Sequence, residues 1–148
     1  MLKGIDPLLT ADVLKTLCEM GHGDEAVVVD ANFTAASLGA GKPVLHLSGA
    51  DLKRACQAIL SVFPLDEDVS QPVAYMKVSH TGEGYVSAVQ ENVLNSVVQI
   101  GGTKEQCEAI ERFAFYDRVK TAYAIIQTSE MQPYANFIFK KGVITTIE

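Results

Sequence analysis

No apolar run in the chain approaches the roughly 20 residues that a membrane-spanning helix needs. The start, Met1-Leu2-Lys3-Gly4-Ile5-Asp6-Pro7, also lacks the apolar core of a secretory signal. Cysteine is scarce: Cys18, Cys56 and Cys107 are odd in number and far apart, with no C-x-x-C pair. That usage suits reduced thiols in a cytoplasmic protein and excludes a disulfide framework. Basic charge is also short, with 12 Lys and Arg against 18 Asp and Glu for a net charge of −6. Nucleic acid is therefore not the expected partner, because phosphate binding wants a basic face. Walker-type and G-x-G-x-x-G loops are absent, which removes the common nucleotide sites. There is no H-x-x-x-H or His/Cys cluster at ligand spacing, so no metal site is expected. A G-x-S-x-G nucleophile elbow is missing too. The chain shows no internal repeat and no low-complexity segment.

What remains is a globular composition, 48% hydrophobic and 20% charged over 148 residues, enough for one domain (1–148) with a sizeable core. The chain is organised around Gly21-His22-Gly23-Asp24-Glu25 and the apolar run behind it, which ends on Asp30. Ala26-Val27-Val28-Val29 is short and β-branched and predicts a buried strand. Thr10 caps a preceding helix whose apolar face is Leu9, Val13, Leu14, Leu17 and Met20, and Gly21 is expected to close it in a left-handed turn. After Asp30, residues 31–39 read as a loop with at most a short helix. Val44 to Leu47 predicts a second strand. Ser48, with Asp51 as acidic partner, predicts the cap of a helix carrying Leu52, Ala55, Cys56, Ile59, Leu60 and Phe63 inward. The acidic stretch Pro64 to Gln71 is expected as a surface loop, and its sequence says nothing about substrate.

Val73 to Val78 predicts a third strand, His80 to Gly84 a turn, and Tyr85 to Val98 a helix. Thr103 and Gln106 suggest a short helix through Ile110, and Glu111 to Thr121 a further one. Tyr123 to Gln127 is a strand. Phe137 to Phe139 and Val143 to Ile147 suggest a closing hairpin across Lys140-Lys141-Gly142, or two consecutive short strands. Strands alternating with helices early and strands closing the chain indicate an α/β domain with a mixed sheet.

Few residues stand out for chemistry. His22 lies between two glycines, and histidine is the side chain whose ordinary chemistry suits proton transfer near neutrality, although a histidine at a helix end also serves simply to meet the last carbonyls. Asp30 sits where a strand leaves its sheet, the place where ligands collect in α/β folds, yet aspartate is also a common turn residue there. Arg112 amid Phe113, Phe115 and Tyr116 suits a polar ligand or an ion pair. Tyr134-Ala135-Asn136 offers a ring face, a hydroxyl and an amide, the ordinary chemistry of sugar binding, and a plain turn fits it equally well. His46 and His80 carry no functional signal.

Taken in order, Met1 to Leu9, Glu19-Met20-Gly21-His22-Gly23-Asp24-Glu25, Asp30-Ala31-Asn32-Phe33, Arg112-Phe113-Ala114-Phe115-Tyr116-Asp117-Arg118, Tyr134-Ala135-Asn136 and Lys140-Lys141-Gly142-Val143 resemble the fucose mutarotase and ribose pyranase family over nearly the whole chain. The resemblance implies helices layered on a mixed, mostly parallel sheet, and an enzyme that interconverts sugar anomers without cofactor or metal. It implies His22 as proton donor, and Asp30, Arg112, Tyr134, Ala135 and Asn136 as sugar-binding residues. It also implies a homo-oligomer, commonly a decamer of two stacked pentameric rings with sites near subunit contacts. Gly-His-Gly-Asp-Glu and Arg-Phe-Ala-Phe-Tyr look like the fucose branch. Asn32 and Thr34 depart from it, where that branch often has histidine and usually proline. On this reading Asp30 orients His22 or accepts a sugar hydroxyl, and Tyr134 or a water relays the second proton. Pyranase-type chemistry on ribose and a non-catalytic sugar-binding module are the alternatives.

Overall fold

A computed structural model of the chain describes residues 1–146. Six strands form one sheet in the order β2-β5-β1-β6-β3-β4. They are β1 (Glu25–Val29), β2 (Val44–Leu47), β3 (Val73–Met76), β4 (Cys107–Ile110), β5 (Ala124–Thr128) and β6 (Phe137–Lys140). β1 pairs with β5, β5 with β2, and β3 with β4, all parallel, while β6 runs antiparallel to both β1 and β3. The sheet is thus mixed and mostly parallel, with one reversed strand near its middle.

Helices cover both faces, which is why β1 reads as an unbroken apolar run: Ala26 to Val29 are all fully buried. Alternate residues face opposite ways. Ala26, Val28, Phe137 and Phe139 meet α1 (Ala11–Glu19), α3 (Leu52–Leu60) and α4 (Ala88–Gln99). Val27, Val29 and Ile138 meet α2 (Ala35–Leu38) and α5 (Arg112–Thr121).

The helix starts follow from capping side chains. Thr10 accepts from the Val13 N–H as expected. Asp51 itself caps α3 by accepting from the Arg54 N–H, in place of the expected Ser48. A carboxylate at the cap satisfies the free N–H and complements the helix dipole. Ser87 and Gln90 form a reciprocal capping box on α4, so that helix begins three residues later than Tyr85.

Several expectations are corrected. α1 ends at an extended Met20, and the left-handed glycine is Gly23 (φ 87°) rather than Gly21. Lys141 does the closing work, its ammonium donating to the Leu17 carbonyl at 2.7 Å and to that of Met20. Cys107–Ile110 is an edge strand where a helix was expected, since the Thr103 and Gln106 cap starts only a three-residue 3-10 turn, Lys104–Gln106. Of the two cysteines in helical patterns, where small buried packing is the expectation, Cys56 is buried but Cys18 is exposed.

The expected closing hairpin does not form. β6 is occupied on both sides by β1 and β3, and residues 143–146 make no strand; Ile147 lies outside the described residues. Instead the end of β6 holds two distant loops. Gly23 N–H donates to Lys141 O at 2.8 Å, Asp66 N–H to Lys140 O at 3.0 Å, and Gly142 N–H to Pro64 O at 2.8 Å. The contact is so close that a Cβ on Gly142 would lie 2.4 Å from the Leu65 carbonyl oxygen. We therefore expect Gly142→Ala to push the Leu65–Asp66 segment off β6, lowering stability by about 1–3 kcal/mol. Chemical denaturation checks this, and an unchanged midpoint would show that the segment yields freely.

Candidate active site

At the carboxyl ends of β1 and β3 the reversed strand β6 begins, so three chain segments meet at one edge of the sheet. The first residue after β1 is Asp30; the residues entering β6 are Tyr134, Ala135 and Asn136; α5 starts alongside with Arg112. Asp30, Asn32, Phe33, Met76, Arg112, Tyr116, Pro133, Tyr134 and Asn136 line a cavity of about 260 Å³ there. It lies just below the range of about 300–1,000 Å³ typical of drug-sized ligands, a size suited to one small polar molecule. A larger hollow of about 680 Å³ runs between the end of α3 and residues 100–102, where Ser61, Glu67 and Gln106 are the polar side chains of the lining, against six in the smaller cavity. We place the site in the smaller cavity for that reason.

Each polar group in the cavity is held from behind. Asn136, buried, accepts the Asp30 N–H on its Oδ1 at 3.0 Å. Asp30 Oδ1 accepts from the Asn32 N–H at 3.0 Å, the turn bond that shapes the loop after β1. Gln127 Nε2 contacts three carbonyls of the same loop, those of Asp30, Ala31 and Phe33, at 3.2, 3.3 and 3.1 Å. Gln90, fully buried, donates from Nε2 to Met76 O and Tyr134 O at 2.8 and 2.9 Å. That bond fixes Tyr134 in a left-handed conformation (φ 57°), unusual for a bulky residue.

Arg112 Nε donates to the Tyr116 hydroxyl at 3.0 Å, and its guanidinium carbon lies 5.5 Å from the ring centroids of both Phe113 and Tyr116. The rings orient the cation without neutralising it. Ala135 is fully buried, and its part here is its backbone N–H, directed at the Asp30 carboxylate.

Asp30 is 5% exposed. Burial pushes its carboxyl above the usual carboxylate range, and the Asn32 N–H, the Asn136 amide and the N–H groups of Ala135 and Phe33 draw it partly back. A raised native value means that the ionised form costs stability at neutral pH, a cost relieved as pH falls through the native titration and absent below the unfolded value. Asp30→Asn should therefore melt higher than wild type at pH 7, with the gap closing towards pH 4. A lower melting point at pH 7, or a gap that ignores pH, would contradict this account of Asp30.

His22 is not in this cavity. It lies before β1 and Asp30 lies after it, and the five residues of that strand alone span about 17 Å. The expected pairing of His22 with Asp30 within one chain is therefore corrected: the ring partner is Asp66, whose Oδ1 lies 3.0 Å from Nε2, with Asp68 Oδ2 at 3.4 Å. Asp66 is buried, and its bond to His22 holds its carboxyl below the usual range. The stretch expected to be a plain acidic surface loop thus supplies the histidine's partner. An acidic residue beside a leucine that bridges to Lys141 was the only signal available, and it needed the β6 register to be read. His22 opens onto an apolar groove with Ile5, Leu14, Met20, Val143 and Ile144. His46 is exposed on an edge strand and His80 in a turn (φ 62°), and neither lines the cavity.

With this geometry established, similarity to known proteins narrows the reading. The L-fucose mutarotase of Glaesserella parasuis serovar 5 (strain SH0165) is 44% identical over 143 residues, covering 97% of this chain and 96% of its own. The crystal structure of the fucose mutarotase in complex with L-fucose from Streptococcus pneumoniae superposes with a TM-score of 0.88 at 35% identity, covering 97% of this chain and all of that one. Bacillus subtilis RbsD complexed with D-ribose shares the fold at a TM-score of 0.75 and 21% identity, covering 98% of this chain and 100% of that one. The profile of the RbsD / FucU transport protein family matches residues 3–144, and the chain belongs to that family.

Proposed function

We propose that this chain is a cytoplasmic, cofactor-independent isomerase that interconverts the α and β anomers of L-fucose. The observation that carries the reading is the split of its polar groups. One end of the sheet gathers Asp30, Arg112, Tyr134 and Asn136 around a monosaccharide-sized cavity; the other presents a histidine held by a buried carboxylate. A mere sugar-binding module has use for the first end and none for the second. Near-full-length similarity to L-fucose mutarotases favours fucose, while the ribose-bound neighbour supports the fold alone.

Because His22 and the cavity sit at opposite ends, the working site combines two copies, with His22 and Asp66 of one completing the cavity of the next. A decameric ring assembly suits that arrangement. The apolar groove around His22 is the surface that meets the neighbouring copy.

Ring opening of a cyclic hemiacetal needs a proton delivered to the ring oxygen and another removed from the anomeric hydroxyl. With Nε2–H given to Asp66, Nδ1 of His22 is the ring atom that exchanges a proton with the sugar. Arg112 and Asn136 hold the other hydroxyls and keep the sugar ring aligned with that atom. When the open aldehyde turns about C1–C2 and recloses, the opposite anomer results.

Exchange NMR on L-fucose at anomeric equilibrium tests the activity: magnetisation passing between α and β signals only with protein present is expected. Exchange between pyranose and furanose forms of D-ribose, with none for fucose, would shift the reading to pyranase chemistry. His22→Gln should drop exchange to the uncatalysed rate while fucose still binds. Co-assembling His22→Gln with Asn136→Ala, each inactive alone, should restore up to about a quarter of the activity, because some sites then join two intact halves. No recovery from mixed assemblies would place each site within one copy.

A further inference from the structure

The proposed proton donor, His22, stands on a turn with no stiffness of its own. It lies between Gly21 and Gly23, and glycine is the residue that restrains the backbone least. We infer that Lys141 is the positioning residue for His22, its ammonium fixing one end of that turn and its main chain the other. This rests on the reading of His22 as the proton donor, and it gives a role to a residue that the sugar cavity does not use.

α1 does not close on itself. Its end is an extended Met20, so its last carbonyls lack the N–H groups that a helix closed by a left-handed glycine draws from its own next residues. Lys141 brings the donor from beyond the end of β6: its Nζ donates to Leu17 O at 2.7 Å and to Met20 O. The positive charge also suits the negative end of the helix. On the far side of the turn, the Lys141 carbonyl accepts the Gly23 N–H at 2.8 Å, and the Lys141 N–H donates to Asp24 O at 2.8 Å. Met20 and Gly23 enclose Gly21 and His22, so both ends of this span are bonded to the same residue. The remaining pin is local, the Gly21 N–H donating to Asp24 Oδ2 at 2.7 Å.

The same main chain places the partner of the imidazole. Leu65 bridges to Lys141, and Asp66, the next residue, has its Oδ1 3.0 Å from His22 Nε2. That contact directs the ring only while the two backbones keep their separation, and Lys141 is the residue that both of them meet. A cap serving α1 alone needs no relation to the site, since a closing glycine satisfies the same carbonyls without reference to the sheet. Taking the donor from Lys141 instead ties the histidine turn to the strand whose start closes the sugar cavity. Lys141 and His22 also line one groove. Without the ammonium, Met20 is released and Gly21-His22 drifts, and a misplacement of about 1 Å at a reacting group costs on the order of 10²-fold in rate.

The test compares wild type, Lys141→Met and Thr10→Ala by exchange NMR on L-fucose over a range of concentrations. Lys141→Met removes the ammonium and keeps the main-chain bonds, whereas Thr10→Ala weakens the same helix at its other end by removing the cap. For Lys141→Met the exchange rate at saturating fucose should fall by about 10- to 100-fold. Its half-saturating concentration should stay within about threefold of wild type, because the groups that hold fucose sit on the adjoining copy. Thr10→Ala should stay within about twofold of wild type in both. Co-assembled with Asn136→Ala, Lys141→Met should recover up to about a quarter of the wild-type rate. Co-assembled with His22→Gln it should show no more than Lys141→Met alone, because both lesions then lie in the same half of the site. A Lys141→Met rate within about threefold of wild type overturns the assignment. So does an equal loss in Thr10→Ala, a proportionate rise in half-saturation, or recovery beside His22→Gln. Should Lys141→Met not fold, Lys141→Gln, whose shorter amide reaches one carbonyl at most, takes its place under the same criteria. Failure of the underlying reading is seen separately and first: no exchange by wild type, or full exchange by His22→Gln, overturns it and the inference with it before Lys141 is changed.

Discussion

The reversed strand β6 is the constraint on which the rest of the structure depends. Because it runs antiparallel between β1 and β3, its start lies at their carboxyl ends and its finish lies where β1 begins. Its first residue is preceded by Tyr134-Ala135-Asn136, which close the cavity beside Asp30. Its last residue and the two that follow, Lys140 to Gly142, take the Gly23 N–H and bind the Pro64–Asp66 segment, which sets Asp66 against His22. A sheet with all strands parallel would carry a helical crossover at one of these places. One short strand therefore positions both halves of the proposed chemistry, and its burial on both faces and both edges makes that positioning rigid.

Rigidity at the cavity is achieved with neutral amides more than with charges. Gln90, Gln127 and Asn136 tie three loops together through their side-chain amides, and none of them adds a net charge next to Asp30. Charged pairs sit elsewhere, as between Arg118 and Glu25 or Arg54 and Asp6. Leaving Asp30 buried without a cation beside it costs stability locally. The opposite choice is made at His22, where the carboxylates of Asp66 and Asp68 both face the Nε2 nitrogen.

Much of this was legible in the sequence, for reasons that differ from part to part. β1 and the faces of α1 and α3 follow from apolar periodicity, because burial itself imposes that pattern. Asp30, Arg112, Tyr134 and Asn136 were read as one group, and the fold brings them to one cavity. Asp66 was not legible, since its role comes from a bridge between Leu65 and Lys141 that joins segments 76 residues apart in the chain. The missing hairpin has the same origin: local pairing of β6 with the residues behind it looked natural, but long-range partners on both sides won. Gln90 and Gln127 carry no signature at all, because a buried glutamine differs from an exposed one only through what it ends up touching.

The separation of His22 from the cavity also constrains how copies associate. In the proposed assembly every copy offers its histidine end to one neighbour and its cavity end to another, a head-to-tail relation. Head-to-tail contacts continue indefinitely unless the rotation between copies closes. A ring is the closed solution, and it gives each copy exactly one donor and one acceptor of the histidine, so that no cavity lacks its acid. An open chain of copies would leave one cavity at its end incomplete. On this argument the catalytic division of labour and the ring are one property, because a chain whose site were complete in itself would gain nothing catalytic from closing.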